Sequence, residues 1–228
     1  MPISLRYLAV ELLTAVLFVS CYASFGLTWL LLKSCVFCFL IVGLIFMDAE
    51  TGLLPHEFTY SGIGLGLGFA WIAPIDSSGT AFLFRAFGLH DLPPGPQLSV
   101  LDSVVAAVFG AGFFYMTWAL YYLVRRRQGM GFGDIALIAM VGAFLGLKLS
   151  LLVIFFAPMM AILFALAMFL MGSGAGTGRR TPDHKHSTSV AKEFLSREIP
   201  FGIFLGATSL IALFLGGQFW GWYFGLFR

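Results

Sequence analysis

The stretch Phe37-Cys-Phe-Leu-Ile-Val-Gly-Leu-Ile-Phe-Met47, closed by Asp48-Ala-Glu-Thr-Gly-Leu-Leu-Pro55-His-Glu-Phe-Thr59, decides how this chain is read. The apolar residues run without alternation, which points to a helix and away from a membrane barrel strand. They end abruptly in a carboxylate. A second aspartate repeats the arrangement: Gly129-Met-Gly131-Phe-Gly133-Asp134 closes one segment and opens another apolar run. Dragging a carboxylate from the bilayer edge to its centre costs roughly 2.5–3.5 kcal/mol, so an acid at such a place is a functional candidate by default.

Composition sets the class. With 60% hydrophobic and 11% charged residues and a mean hydropathy of +0.95, the chain departs from soluble domains, in which about 25% of residues are charged. Backbone polar groups in lipid must pair within helices or a closed barrel. The expectation is therefore an all-α, polytopic integral membrane protein forming a single membrane-embedded domain over residues 1–228. Nothing supports nucleic-acid binding: there is no basic stripe, and the lysines and arginines are expected in short loops between spans. The three cysteines give no disulfide framework. Cys35-Val-Phe-Cys38 has metal-ligand spacing but no second pair, so these thiols read as small apolar residues and no metal site is expected. Arg6 and the run ending at Cys21 faintly resemble a lipoprotein signal, but Glu11 interrupts the run, which favours a first transmembrane helix.

A span takes about 20 apolar residues, within a range of roughly 17–25. About seven are expected, near 8–26, 28–47, 59–74, 101–124, 134–147, 149–171 and 201–226. The fifth and sixth are separated by a tight turn at Leu147-Lys148. Gly62, Gly64, Gly66 and Gly68 in the third, with Gly142 and Gly146 in the fifth, would let neighbouring backbones approach closely. Residues 75–100 read as an irregular outer loop. Residues 172–198 open with the flexible composition Gly-Ser-Gly-Ala-Gly-Thr-Gly178 and continue through His184-Lys-His186, which reads as a solvated basic loop. With the N-terminus inside, the cytoplasmic segments hold Arg6, Arg125, Arg126, Arg127, Arg179, Arg180, Lys185, Lys192 and Arg197, nine of the thirteen basic residues. That asymmetry satisfies the positive-inside rule and puts both aspartates on the cytoplasmic side.

Two carboxylates at one membrane face can hydrolyse a peptide without a metal or a covalent intermediate. One, ionised, takes a proton from water while the other, protonated, polarises the scissile carbonyl. Like charges a few Å apart cannot both ionise, so such a pair holds one proton and titrates as a unit. Gly131 and Gly133 are expected to let a hairpin bend sharply and bring N–H groups near a substrate strand, and Leu54-Pro55 to break the helix after Asp48. The competing reading makes Asp48 and Asp134 ordinary helix caps. What lifts the catalytic reading is the pairing of two such acids, each in its own glycine- or proline-marked break.

These residues resemble the prepilin leader peptidases of type IV pilus and type II secretion systems, within the GxGD class of membrane aspartyl proteases. The resemblance rests on Gly129-Met-Gly131-Phe-Gly133-Asp134, on Asp48 with Leu54-Pro55 and Thr59, on Ile199-Pro-Phe-Gly202, and on Arg6-Tyr-Leu-Ala-Val-Glu11 leading into the first span. It implies that Asp48 and Asp134 are the catalytic dyad, supported by Gly129, Gly131 and Gly133. It also implies that the protein cuts the basic leader from prepilins or pseudopilins at the cytoplasmic face of the bacterial inner membrane. Two departures, His56 where the family often has an acid and Ala136 where it often has a lysine, imply altered substrate contacts. Bifunctional members carry an upstream segment with two CxxC pairs. With none here, the expectation is cleavage without a cofactor, and no S-adenosylmethionine-dependent methyl transfer. The alternative reading is an ion-coupled transporter or channel using Glu11, Asp48 and Asp134. No inverted repeat pairs the two broken segments, as many transporters would require.

Overall fold

The computed structural model describes residues 5–52, 54–74, 76–88, 95–126, 131–174 and 201–226. They form α1 (Leu5–Phe25), α2 (Trp29–Thr51), α3 (His56–Ile72), α4 (Ser78–Ala86), α5 (Gly95–Arg125), α6 (Phe132–Gly174) and α7 (Phe201–Gly225), with no strand among the described residues. Five helices carry stretches long and apolar enough to cross a membrane: Tyr7–Phe25, Trp29–Thr51, Gly95–Val124, Phe132–Met168 and Phe201–Tyr223. These are five among the described residues where about seven are expected, and α3 and α6 account for the difference. α3, with 17 residues, stands at the short limit for a crossing. The 37-residue apolar part of α6 would be about 55 Å long if straight, almost twice the hydrocarbon thickness of about 30 Å. It is not straight: Gly146 sits at φ 75°, ψ 177°, a conformation open to glycine and closed to L-residues. The chain thus kinks at Gly146, one residue before the expected Leu147-Lys148 turn, and α6 is two helices joined across that kink.

Ala136–Leu147 are buried at every position. A helix that is apolar all round belongs in the centre of a bundle, and α2, α3, α5 and α7 surround this one. Small residues set the approach distances. A Cβ on Gly142 would fall 2.7 Å from the Ala106 carbonyl of α5, and one on Gly66 would fall 2.9 Å from Ala143 Cβ. Gly62 packs on Met140, whereas Gly64 and Gly68 face open space, so only alternate members of that glycine series serve packing. α1 lies at the periphery, with Cys21 Sγ 3.7 Å from Cys38 Sγ where it crosses α2.

Several expectations need correction. α2 continues past Met47 to Thr51, because Gly52, at φ 64° and ψ 14°, is the residue that stops it. Residues 75–100 are not irregular throughout. Asp76 Oδ1 accepts from the Ser78 N–H at 3.2 Å and starts the short α4, and α5 begins at Gly95-Pro96, where a proline is tolerated because a first-turn N–H has no helical partner. The basic residues are not confined to loops. Lys33 is 3% exposed inside α2, and Lys148 lies within α6.

A buried polar cluster closes the end of the bundle that contains Gly146. Asp102, wholly buried in α5, accepts from the Leu147 N–H at 3.1 Å and from Thr80 Oγ1 of α4. It thereby supplies the capping acceptor for the helix that restarts after Gly146. Lys33 faces Asp102 electrostatically and reaches the Ala73 carbonyl at 3.5 Å. At the rim, Lys148 Nζ pairs with Asp76 at 2.8 Å, and Trp220 Nε1 donates to the Lys148 carbonyl at 3.1 Å.

Candidate active site

The opposite end of the bundle brings the two aspartates together. Asp48 lies in the last turn of α2 and Asp134 in the first turn of α6; they are 5% and 8% exposed. The Asp48 carboxylate is the charged group that acts on Asp134. The helix-cap reading fails for Asp48 on position alone, since an acid in a last turn meets the negative pole of its own helix. Asp134 is not at the capping position either: it is inside the first turn, with its N–H bonded to the Gly131 carbonyl at 3.2 Å.

Leu54 is the wedge that assembles this end. A Cβ on Gly133 would lie 2.7 Å from Leu54 Cβ, and one on Gly202 would lie 3.4 Å from Leu54 Cδ1 and 2.6 Å from Asp48 Oδ2. One leucine therefore spans the space between the glycine beside Asp134 and the glycine against Asp48. This revises the expected role of the motif glycines. Neither Gly131 nor Gly133 has a positive φ, so no sharp left-handed bend is made there. Gly133 is needed for space, Gly131 is open, with only Gly133 N and Asp134 Oδ2 near 4 Å, and Gly129 lies outside the described residues.

The chain path between the acids follows from local signals. The Gly52 N–H bonds back to the Asp48 carbonyl at 2.9 Å, a left-handed cap of the usual kind. Pro55, at φ −66° and ψ 124°, then starts α3. Thr59 is fully buried and turns its hydroxyl to the His56 carbonyl at 3.1 Å, while His56 itself is exposed and stacked on Tyr60 with ring centroids 5.6 Å apart. Ala136 is buried in the central helix. Glu11 is exposed on α1 and is not drawn into the pair. The Arg6 side chain, His184, Lys185, His186, Ile199 and Pro200 lie outside the described residues.

Sequence reasoning missed the start of α7 as part of the pair's surroundings. The amides of Gly202 and Ile203 act on the Asp48 carboxylate, although Asp48 Oδ2 makes no hydrogen bond of full geometry. The available signal was Phe201-Gly202 opening an apolar run, which marks a helix start without saying what it faces. Chemically, the arrangement is two interacting carboxylates, shielded from water, with one oxygen left unpartnered.

A model of the type IV leader peptidase family matches residues 34–166, which include both aspartates. Three similar relatives are each named prepilin leader peptidase/N-methyltransferase. The one from Myxococcus xanthus is 33% identical over 77% of this chain and 46% of its own length. Those from Legionella pneumophila and Aeromonas hydrophila are 31% and 29% identical over 98% and 97% of this chain, and 64% and 62% of their own lengths. The chain thus spans about half to two thirds of these relatives. No solved structure gives a significant match. With a family match covering more than half of its residues and a multi-pass helical bundle around the matched segment, the chain belongs to the type IV leader peptidase family.

Proposed function

We propose that this protein is an aspartic-type endopeptidase that removes the leader peptide from type IV prepilins or pseudopilins, working at the cytoplasmic face of the bacterial inner membrane. The observation that carries the reading is the meeting of Asp48 and Asp134, from different helices, as two buried and interacting carboxylates. Two like acids that share a site hold one proton between them, which is the state the chemistry needs. The ionised member takes a proton from water, and the water attacks the scissile carbonyl. The protonated member polarises that carbonyl, and a proton then passes to the leaving amine. No step calls for a metal. A transport reading would put Glu11 in line with the pair, and Glu11 stays apart on α1.

The test is cleavage of a prepilin by the purified chain in detergent. Wild type should release the leader and remain active with a chelator present. Asp48→Asn and Asp134→Asn should each lose about 10³-fold or more in turnover, the scale of lost general acid–base catalysis, with unchanged expression and unfolding temperature. Wild-type turnover in either folded variant would sink the proposal.

A further inference from the structure

Asp48 occupies a poor place for a negative charge. The end of a helix where it lies carries a negative pole of about half an elementary charge. Water does not compensate, since the residue is 5% exposed and a buried charge must find its solvation in the protein. The Gly52 cap engages only the Asp48 main chain. Of the elements packed around it, α6 presents another carboxylate, Asp134. Among the described residues, α1, α3 and α7 present no charged side chain that acts on it.

α7 presents its N-terminal pole instead. The amides of Gly202 and Ile203 act on the carboxylate, and α7 comes so close that a Cβ on Gly202 would fall 2.6 Å from Oδ2 and 3.0 Å from Cγ of Asp48. Oδ2 keeps its lone pairs unengaged. We propose that the first turn of α7 is a positioning element of the site: the Gly202 and Ile203 amides hold the charge on Asp48 and leave Oδ2 free for the attacking water or the shared proton. Glycine is required at 202 because any side chain there displaces the carboxylate from those amides. The inference rests on reading Asp48 and Asp134 as the working pair, and α7 acts through Asp48 without touching substrate.

The test reads ionisation directly and needs no catalysis. In the Asp134→Asn protein, isotope-edited infrared spectroscopy follows the Asp48 carboxyl, identified by loss of its band in Asp48→Asn/Asp134→Asn. Adding Gly202→Ala should move the midpoint of Asp48 protonation upward by about one pH unit, the size expected when hydrogen-bonding support for a carboxylate is lost. Ile203→Pro, which deletes one amide within the first turn, where proline is best tolerated, should move it the same way by less. It also carries the test if Gly202→Ala does not fold. Gly206→Ala is the control: its Cβ would meet Ile45 Cγ1 at 2.5 Å, so it should lower the unfolding temperature and leave the midpoint in place. In the otherwise wild-type enzyme, the acid limb of the kcat/KM profile should shift with the infrared midpoint. A midpoint unmoved by both first-turn variants, or moved equally by Gly206→Ala, overturns the proposal. Full turnover by Asp48→Asn would instead sink the reading of the pair, a separate outcome.

Discussion

Gly133 owes its identity to Leu54. The leucine side chain fills the place of its missing Cβ, with three carbons at 2.7–3.3 Å. Gly133→Ala must therefore push Leu54 aside, at an overpacking cost of about 1–3 kcal/mol, and shift the residue next to Asp134. Leu54→Ala in the same chain makes room again. Cleavage rates and unfolding temperatures should show a large loss in Gly133→Ala and a partial recovery in the double variant. Additive losses would mean the two residues do not act on each other. The Gly-x-Gly-Asp spacing singled out Gly133 from sequence, but for backbone freedom. The requirement is one of volume, imposed by a residue almost eighty positions away in the chain.

Helices bring a different set of forces into play. α6 kinks at Gly146, and the helix that restarts there takes its capping acceptor from Asp102 of α5. Asp102→Ala would orphan the Leu147 N–H, free the Thr80 hydroxyl and leave Lys33 buried without its opposite charge. Leaving a buried N–H without its acceptor costs about 1–3 kcal/mol. Thermal unfolding in detergent should show that loss, and Lys33→Met added to Asp102→Ala should recover part of it. Asp76 and Lys148 pin the same turn from outside. Partial burial pushes the Asp76 carboxyl up, but hydrogen bonds from Lys148 and Ser78 outweigh it and hold the group below the usual carboxylate range. A depressed carboxylate stabilises the fold above its unfolded pKa, and that contribution is lost as pH falls through the folded value. Asp76 is 68% exposed, so screening keeps the effect under about 1 kcal/mol. Asp76→Asn should therefore lower stability slightly at pH 7 and match wild type once the pH has fallen through the depressed folded value, read as the difference in unfolding temperature across that range.

For the molecule as a whole, the two ends are chemically distinct: paired acids at one, and at the other a buried lysine–aspartate cluster around Gly146. The proposed function needs the acid end inside, the side that the charge asymmetry of the connecting segments favours. Single cysteines in a background lacking Cys21, Cys35 and Cys38 check it. Cysteine at Arg126 should react only with reagent on the cytoplasmic side, and at Leu27 or Phe87 only from outside; all three positions are exposed. Labelling of position 126 from the periplasm would remove the pair from a cytoplasmic leader. The helical class and most of the long apolar runs were legible in the chain, because hydropathy is local, whereas the stop of α2 at Gly52 was not read. Tertiary structure alone decided that Ala136–Leu147 form the central helix, that Gly66 and Gly142 carry the packing while Gly64 and Gly68 do not, that Lys33 faces Asp102, and that the start of α7 lies against Asp48. Those facts depend on how each helix is rotated and seated against its neighbours. Residues apolar on every side leave that rotation open until volumes and buried charges from distant segments meet.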